Sequence, residues 1–259
     1  MQDLLLLIVS YHSSHSEVSA LSDCLDSLSD QISYAVIVND FNERDPITVL
    51  EKHSELFLRN EDNLGYGRAI NKLFTSLDRV PKFIGILNSD LTWAAGTFEA
   101  AVRYLNSNEN VSLIVPQILS SSGKVQHLCK HNPTLLAMFS RRFLPNFLKP
   151  SWLKRYDSWY VMGHKNYDSV FEAPYLSGCC MLIRTTSFIA VGGFDERYFL
   201  YLEDADITRS LSSVGRCLHL PTLSVVHNWG RGNYRSLRLL VVNLISAFKY
   251  FTKWGLQIW

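Results

Sequence analysis

The segment MQDLLLLIVSYHSSHSEVSALSDCLDSLSDQISYAVIVND, residues 1–40, decides the fold. Its residues 4–9 and 35–38 are uninterrupted apolar runs with the length of buried strands. Between these runs, the spacing of apolar residues predicts one face of a helix. The residues of this face, separated by four, three and four positions, are Leu21, Leu25, Leu28 and Ile32. The segment is therefore typical of a strand–helix–strand unit in a layered α/β fold.

The alternation of strand and helix patterns continues to residue 120. Further strands are predicted at 56–58, 83–87 and 111–119, with helices around 69–77 and 98–105. Asp45 and Pro46 are typical of the N-cap and the first residue of another short helix. This rhythm predicts a doubly wound α/β fold, in which helices flank a mostly parallel central sheet. Because ligands bind such sheets at the carboxyl ends of the strands, the residues that follow each strand are candidates for a site.

The second half of the chain has a less regular pattern. Residues 130–170 are rich in aromatic and basic residues, and we expect an irregular insertion with short helical turns there. Beyond it, regular structure is predicted at Tyr175–Arg184, as a helix at Glu203–Val214, as two short strands at Cys217–Leu220 and Ser224–Val226, and as a last helix at Tyr234–Trp254.

The charge and cysteine content limit the classes of partner and compartment. The chain has 25 lysines and arginines against 24 aspartates and glutamates, which argues against a dedicated nucleic-acid-binding protein. No acidic residue follows Asp206, so the last 53 residues carry seven basic residues and favour an anionic partner. The five cysteines lack Cys-x-x-Cys spacing, which fits a reducing cytosol better than a zinc site or a disulfide framework. The sequence shows neither a signal-peptide pattern nor a membrane-spanning apolar run, so we expect a cytoplasmic protein.

The motif NLGYGRAIN, residues 63–71, follows the third predicted strand. Gly65 and Gly67 allow the backbone to approach a ligand, and the helix that follows offers its N-terminal amides to an anion. The glycine spacing differs from that of the dinucleotide-binding fingerprint. The same glycines are also typical of a helix entry that needs flexible residues, so both interpretations stay open.

Two further motifs place carboxylates at the ends of elements. In LNSD, the alternation of Asn88 and Asp90 lets both side chains lie on one side of the chain. This arrangement suits a hard divalent cation that also holds phosphates, although a strand-end aspartate is also a common helix cap. In GGFDERYFLYLEDADITRSL, residues 192–211, Glu203 and Asp204 begin a helix behind several aromatic residues. Such a carboxylate is either a general base with a shifted pKa or a residue that stabilises the helix dipole.

His227 follows the last predicted strand, in the sequence VVHNWGRGN. It is either a ligand or a structural histidine. The residues Gly230, Arg231 and Gly232 behind it are typical of a loop that carries a cation towards phosphates.

Seven motifs, taken in order, resemble those of the family 2 glycosyltransferases with a GT-A fold, over essentially the whole chain. They are LLIVSYHS, VIVND, NLGYGRAIN, LNSD, YLSGCCMLIR, GGFDERYFLYLEDADITRSL and VVHNWGRG. Within that family, the chain resembles the small bacterial rhamnosyltransferases of O-antigen and polysaccharide assembly. The resemblance implies a Rossmann-like nucleotide-diphospho-sugar transferase domain at 1–232, followed by a basic amphipathic helix at 233–259. Residues 1–120 would bind the nucleotide sugar, and 121–232, with the insertion at 130–170, would bind the acceptor.

The resemblance also implies a nucleotide-sugar site at the strand ends of the first half. Its residues would be Ser10, Tyr11, Asn39, Asp40, Asn63, Gly65, Gly67, Asn71, Asn88, Ser89, Asp90 and Arg231. The family usually has Asp-Asn after the second strand, whereas this chain has Asn39-Asp40, so the residue that contacts the base stays open. Asp90 and His227 would bind Mg²⁺ or Mn²⁺ at the donor diphosphate.

The reaction implied by the resemblance is an inverting sugar transfer. Asp204 would be the catalytic base that deprotonates the acceptor hydroxyl, while Glu203 and Trp229 would contact the acceptor. The implied donor is dTDP-rhamnose, and the implied acceptor is a polyprenyl-diphosphate-linked oligosaccharide or a polysaccharide. The alternatives that the sequence leaves open are a UDP-hexose donor and a sugar-nucleotide-binding subunit without catalysis.

The last predicted helix is amphipathic and basic. Its apolar face consists of Leu237, Leu240, Val241, Leu244, Ile245, Phe248 and Phe251. Basic residues flank this face, which is the pattern of a helix that lies in a membrane interface. The pattern predicts peripheral association with the inner face of the cytoplasmic membrane, packing against the domain, or a homodimer contact.

Overall fold

The computed structural model describes residues 3–228 and 237–259. The strands are β1 Leu4–Ser10, β2 Ile32–Val38, β3 Phe57–Arg59, β4 Phe83–Asn88, β5 Leu91–Trp93, β6 Val111–Leu119, β7 Phe171–Glu172, β8 Cys180–Arg184 and β9 Arg216–His227. The α-helices are α1 His15–Leu25, α2 Tyr66–Thr75, α3 Thr97–Ser107, α4 Leu135–Phe143, α5 Ser151–Tyr160, α6 Thr185–Ala190, α7 Glu203–Leu211 and α8 Leu237–Trp254. Two 3-10 helices span Pro46–His53 and Asn146–Leu148.

Local signals explain where the first helices begin and end. Ser14 caps α1 in a capping box, in which its hydroxyl accepts from the Glu17 amide and the Glu17 carboxylate accepts from the Ser14 amide. The predicted apolar face of α1 is wrong beyond Leu25, because the helix ends there and Ile32 already begins β2. The expected N-cap at Asp45 is confirmed, since its carboxylate accepts from the Ile47 amide at 3.2 Å.

Within the described residues, the sheet has nine strands in the order β3-β2-β1-β4-β8-β6-β9-β5, with β7 beside β9. Strands β1 to β4 are parallel, β8 runs antiparallel between β4 and β6, and β9 is parallel to β6. The mostly parallel sheet is thus confirmed, with β5, β7 and β8 running the opposite way. The chain leaves β1 to one side and returns to its other side at β4, where Val9 pairs with Asn88. This reversal places the carboxyl ends of β1 and β4 side by side, where α/β sheets bind ligands.

The two strands predicted after residue 216 form one strand with an irregularity. In β9 the partner of Pro116 is Leu220, whereas the partner of the next residue, Gln117, is Ser224. The skipped residues begin with Pro221, which has no amide hydrogen to donate to the ladder. The two predicted strands are therefore joined across a bulge. The expected helical turns of the insertion at 130–170 are confirmed as α4, a 3-10 turn and α5.

The core is centred on the parallel strands. All seven residues of β1 are buried, as expected for a strand with helices on both faces. A second, smaller cluster joins the segment before α7 to α8. Its buried members are Tyr175, Tyr198, Leu202, Ala205, Ala247 and Tyr250.

Helix α8 packs on the domain through one face. Asp206 of α7 is buried and accepts from Lys253 Nζ at 2.8 Å and from Trp254 Nε1 at 2.6 Å. The opposite face of α8 is exposed and includes Leu237, Val241, Leu244, Ile245 and Phe248. The predicted end at Trp254 is confirmed, whereas the predicted start at Tyr234 lies outside the described residues. None of the helices in the described part of the chain has both the length and the hydropathy needed to cross a bilayer.

Candidate active site

The floor of the site is a chain of hydroxyl groups at the ends of β1 and β4. Ser10 is fully buried, and its Oγ lies 2.8 Å from Ser13 Oγ, which in turn lies 2.7 Å from Ser89 Oγ. Tyr11 is exposed beside this chain, with its ring centre 4.2 Å from that of His12. The predicted residues Ser10, Tyr11 and Ser89 therefore come together at one edge of the sheet.

The reversed Asn39-Asp40 pair divides into a buried and an exposed residue. Asn39 is buried, where its Nδ2 donates to the Gly65 carbonyl at 3.2 Å and its Oδ1 accepts from Asn60 Nδ2 at 3.0 Å. Asp40 is exposed in the left-handed region at φ 57°, with its Oδ2 2.9 Å from His12 Nε2. The Asn39 side chain thus holds the loop of residues 63–65, while the Asp40 carboxylate faces outwards.

The glycines of the NLGYGRAIN motif allow contact with the chain itself. Gly65 has φ 83°, and a Cβ there would lie 2.2 Å from the Phe199 carbonyl oxygen. A Cβ at Gly67 would lie 2.9 Å from Phe194 Cβ. Asn71 Nδ2 donates to the Phe194 carbonyl at 2.8 Å, and Asn71 Oδ1 accepts from the Phe194 amide at 3.0 Å. The motif therefore docks the first half of the chain onto the segment that leads to α7.

Asn63, at the start of the motif, acts within its own turn. Its Oδ1 accepts from the Gly65 amide at 2.8 Å, which fixes the turn that begins α2. The helix entry predicted from the glycines is thus present, with Gly65 as the residue before Tyr66.

Asp90 and His227 form a pair at the edge where β5 meets β9. Leu91 pairs with His227 in antiparallel register, which brings the residue before Leu91 to the imidazole. The distance from Asp90 Oδ2 to His227 Nε2 is 3.1 Å. Asp90 Oδ1 and His227 Nδ1 are buried and lack hydrogen-bond partners within the described residues. Asn88 lies at the end of β4, and its amide donates to the Cys179 carbonyl at 3.0 Å.

Asp204 is held in the first turn of α7. Its Oδ2 accepts from the Gly178 amide at 3.2 Å, and its Oδ1 accepts from the Ala205 amide at 3.0 Å. The two residues before α7, Tyr201 and Leu202, have φ of 70° and 66°, a costly backbone conformation for side chains of this size. The carboxylate therefore has a fixed orientation, with the favourable end of the helix dipole behind it.

Glu203 lies beside Asp204 but points into the protein. It is buried, and its Oε2 has no hydrogen-bond partner within the part of the chain that is described. Burial, reinforced by the charge of Asp204, raises the pKa of the Glu203 carboxyl. Glu203 therefore holds a proton more readily than an exposed glutamate does, whereas the two Asp204 oxygens accept backbone hydrogen bonds, as the oxygens of a carboxylate do.

The segment of residues 175–180 contacts both Asp204 and the end of β4 that leads to Asp90. The Gly178 amide contacts Asp204, and the next residue, Cys179, accepts from the end of β4. Burial raises the pKa of the Cys179 thiol to about 12, and the charges of both Asp90 and Asp204 add to this shift. Cys179 thus lies within electrostatic reach of both carboxylates. Trp229 and Arg231, also predicted for the site, lie outside the described residues.

Three site residues were missed by the sequence analysis. The Tyr66 hydroxyl donates to the Gly178 carbonyl at 2.9 Å, below Asp204. Burial, with a smaller contribution from Asp204, raises the pKa of the Tyr175 hydroxyl. Lys130 Nζ lies 4.2 Å from the centre of the Tyr175 ring. Tyr66 lies in the motif NLGYGRAIN and Tyr175 in the motif YLSGCCMLIR, so the sequence could have identified both as candidates. Nothing in the local sequence distinguishes Lys130.

The mixed sheet with its flanking helices is that of the GT-A glycosyltransferase fold. GalNAc-T7 in complex with UDP, GalNAc and Mn²⁺ superposes with a TM-score of 0.68 over 97% of this chain and 48% of its own, at 14% identity. The mannosyltransferase PcManGT of Pyrobaculum calidifontis, in complex with GDP-Man and Mn²⁺, gives 0.62 over 97% of this chain and 63% of its own, at 13% identity. At such identities the likeness concerns the fold alone.

The model of the family "Glycosyl transferase family 2" matches residues 7–192, and the chain belongs to that family. It is 29% identical over 178 residues to N-acetylglucosaminyl-diphospho-decaprenol L-rhamnosyltransferase of Mycobacterium tuberculosis, covering 64% of this chain and 56% of the relative. It is 34% identical over 82 residues to rhamnosyltransferase WbbL of Escherichia coli, covering 30% of this chain and 31% of the relative. The chain thus spans little more than half the length of the first of these relatives in the matched region.

Proposed function

We propose that the protein transfers a sugar, L-rhamnose from dTDP-rhamnose, to a hydroxyl group of a polyprenyl-diphosphate-linked acceptor. The observation that carries the proposal is the segment of residues 178–179, in which the Gly178 amide contacts Asp204 and the Cys179 carbonyl contacts the end of β4, two residues before Asp90 of the Asp90–His227 pair. The rhamnosyl donor and the lipid-linked acceptor are suggested by what the mycobacterial and Escherichia coli relatives are named for.

The Asp90–His227 pair fits a divalent cation, Mg²⁺ or Mn²⁺. One carboxylate, completed by water and the phosphates of a substrate, is the usual protein share of such a site. The 3.1 Å between Asp90 Oδ2 and His227 Nε2 matches neighbouring ligands of an octahedral ion with bonds of about 2.1 Å. The unpartnered Asp90 Oδ1 leaves the carboxylate free for a further bond. When bound, the ion would neutralise charge on the departing diphosphate.

Asp204 is the base in this proposal. Two backbone amides hold its carboxylate, leaving lone pairs for a proton of the acceptor hydroxyl. An oxygen activated there attacks the anomeric carbon from the face opposite the diphosphate, which inverts the configuration. Buried Glu203 does not compete for this role, because its raised pKa favours the neutral acid and its carboxyl lies inside the protein. We assign it, with Trp229, to the acceptor side.

The donor occupies the first half of the chain in the proposal. Asp40 is the residue of the Asn39-Asp40 pair that faces outwards, so we assign the contact with the base to Asp40 and the support of the loop to Asn39. Tyr11 and Asn88 complete this side, together with Arg231 for the diphosphate. Residues 1–120 thus provide the donor subsite and residues 121–232 the acceptor subsite.

We also propose that the exposed face of α8 lies on the cytoplasmic surface of the membrane that contains the lipid acceptor. This face is apolar, and Arg238 and Lys249 lie on the same helix, which is the composition of an interfacial helix. Co-sedimentation with vesicles containing anionic lipid tests the assignment. Substitution of Phe248 by Asp should abolish co-sedimentation, and unchanged binding would contradict it.

The transfer itself is tested by incubating the protein with Mn²⁺, a panel of nucleotide sugars and a prenyl-diphosphate-linked N-acetylglucosamine. The expected result is a glycosylated lipid formed from dTDP-rhamnose alone, with loss of product when the metal is chelated. Product from a UDP-hexose would replace the donor assignment. Binding of dTDP-rhamnose without any product, on this acceptor or by hydrolysis, would support a subunit without catalysis.

A further inference from the structure

Lys130 and Arg141 each lie against a tyrosine ring near the segment that contacts Asp204. Lys130 pairs with Tyr175 through two backbone hydrogen bonds of 2.9 and 3.1 Å, and its Nζ lies over the Tyr175 ring. Arg141 of α4 has its Cζ 5.9 Å from the centre of the Tyr160 ring. Among the residues that the structure describes, neither cation forms a salt bridge with a carboxylate.

The order of contacts along residues 175–179 shows where these cations lie. Tyr175 pairs with Lys130, Gly178 contacts Asp204, and Cys179 contacts Asn88 at the end of β4. Along this segment, the contact with Asp204 therefore lies between the contact with Lys130 and the contact with Asn88.

The electrostatic neighbours agree with this order. Burial lowers the pKa of the Lys130 ammonium, Asp204 opposes this shift, and Arg141 reinforces it. Burial also raises the pKa of the Tyr160 hydroxyl, with Arg141 opposing and Asp204 reinforcing. The His131 amide donates to the Tyr160 carbonyl at 2.9 Å, which brings Tyr160 and Arg141 next to Lys130 and Tyr175; these four residues are called the cation pocket.

We propose that Lys130 and Arg141 bind the diphosphate of the acceptor, so that this pocket selects an acceptor whose sugar is linked to a diphospholipid. This inference rests on the proposed function. Inversion requires the acceptor hydroxyl to attack from the side opposite the donor diphosphate, so the acceptor diphosphate needs cations other than those of the donor subsite. A half-buried lysine that forms no salt bridge among the described residues, next to an arginine, is a strong recognition element for phosphate.

The outer surface of α4 fits the lipid part of such an acceptor. Leu135, Phe139 and Phe143 recur every four residues on one exposed face, and the rings of Phe139 and Phe143 lie 5.4 Å apart. Arg141 projects from a different side of the same helix, towards Tyr160. Helix α4 thus carries an apolar face for a lipid surface and a cation for the phosphates that are attached to it.

The test compares two acceptors that differ only in the anion. One is farnesyl-diphosphate-linked N-acetylglucosamine, and the other is an uncharged alkyl N-acetylglucosaminide of similar length. We expect Lys130→Gln and Arg141→Gln each to raise KM for the charged acceptor about tenfold or more. The kcat, the KM for the donor and the kinetics with the uncharged acceptor should stay unchanged. Arg155→Gln, an exposed arginine of α5, is the matched control and should behave like the wild type.

Other outcomes overturn the inference in recognisable ways. An equal loss with both acceptors would mean that the cations only position Asp204, and a raised KM for the donor would place them in the donor subsite. A wild type that prefers neither acceptor would also overturn it. Because Arg141 is exposed, Arg141→Gln should fold normally and keeps the test valid if Lys130→Gln unfolds.

Binding of farnesyl diphosphate alone, followed by tryptophan fluorescence, separates this inference from the proposed function. One outcome is that the protein transfers no sugar but binds farnesyl diphosphate, and that this binding weakens about tenfold in both variants. This outcome would support the pocket and contradict the transferase proposal. Sugar transfer to the uncharged acceptor without any binding of farnesyl diphosphate would do the reverse.

Discussion

Replacing Asp204 by Asn tests the assignment of the base. The structural cost is small, because an amide still provides one oxygen in place of the two that accept from the Gly178 and Ala205 amides. Loss of one such bond costs about 1 kcal/mol, roughly a fivefold effect. Loss of a general base lowers the rate about 10²- to 10⁴-fold, equivalent to about 3–5 kcal/mol of transition-state stabilisation. The chemical effect therefore exceeds the structural one, and we expect kcat to fall at least about a hundredfold.

The measurement combines two assays. Transfer is followed as dTDP released in the presence of Mn²⁺ and acceptor, and donor affinity is measured by calorimetry. The Kd for donor should stay within about twofold of the wild type, because Cys179 separates Asp204 from the Asp90–His227 pair. Asp206→Asn is the matched control on the same helix, since its carboxylate faces α8, and it should lower Tm while keeping turnover. A kcat for Asp204→Asn within about threefold of the wild type would refute the role of Asp204.

Four further expectations follow from the geometry. Gly65→Ala should lower the free energy of unfolding by about 2 kcal/mol or more, measured by urea titration, because its Cβ would meet the Phe199 carbonyl at positive φ. Asp206→Ala should cost about 1–3 kcal/mol in the same titration, because it removes the buried acceptor of Lys253 and Trp254, while Lys253 keeps its second partner Asp195. Asp90→Asn should abolish the stabilisation that Mn²⁺ with dTDP is expected to give in thermal melts. The raised pKa of Glu203 means that the folded state binds the Glu203 proton more tightly than the unfolded state does. The stability that this proton contributes is complete below the unfolded pKa of about 4.5 and is lost as the pH rises above it. The Tm of Glu203→Gln should therefore rise relative to that of the wild type between pH 5 and pH 8, and a difference in Tm that does not change with pH would contradict the burial argument.

The sequence predicted the strands best where burial is complete. Strand β6 has the predicted bounds, and β1 exceeds its predicted run by one residue. The prediction of β1 succeeded because a strand covered on both faces is a nearly continuous apolar run. The end of α1 was missed because Leu28 and Ile32 keep the helical spacing although they lie in a turn and in the next strand. Spacing alone does not distinguish such a coincidence from a longer helix. The antiparallel place of β8 between β4 and β6 depends on long-range pairing that no local pattern records.

The candidate site was predictable to the extent that its residues lie in motifs. The motifs brought Asp90, His227 and Asp204 to attention, and the structure pairs Asp90 with His227 and links Asp204 to the end of β4 through residues 178–179. They did not show that the Asn39 side chain holds the loop of residues 63–65, because this role depends on Asn60 and Gly65 being nearby in space. Lys130 was missed for the same reason, because its ammonium contacts the ring of Tyr175, which is 45 positions further along the chain.

The docking of NLGYGRAIN onto Phe194 and Phe199 has a consequence for how such enzymes can be recombined. The turn that begins α2 and the stretch that leads to α7 are closely fitted to each other, through a glycine that leaves no room for a side chain and an asparagine that bonds both the amide and the carbonyl of Phe194. A chimaera that takes its first 120 residues from a different relative would inherit one surface of this joint without its counterpart. Swapping donor preference between relatives should therefore succeed only when residues 192–199 are exchanged together with residues 1–120.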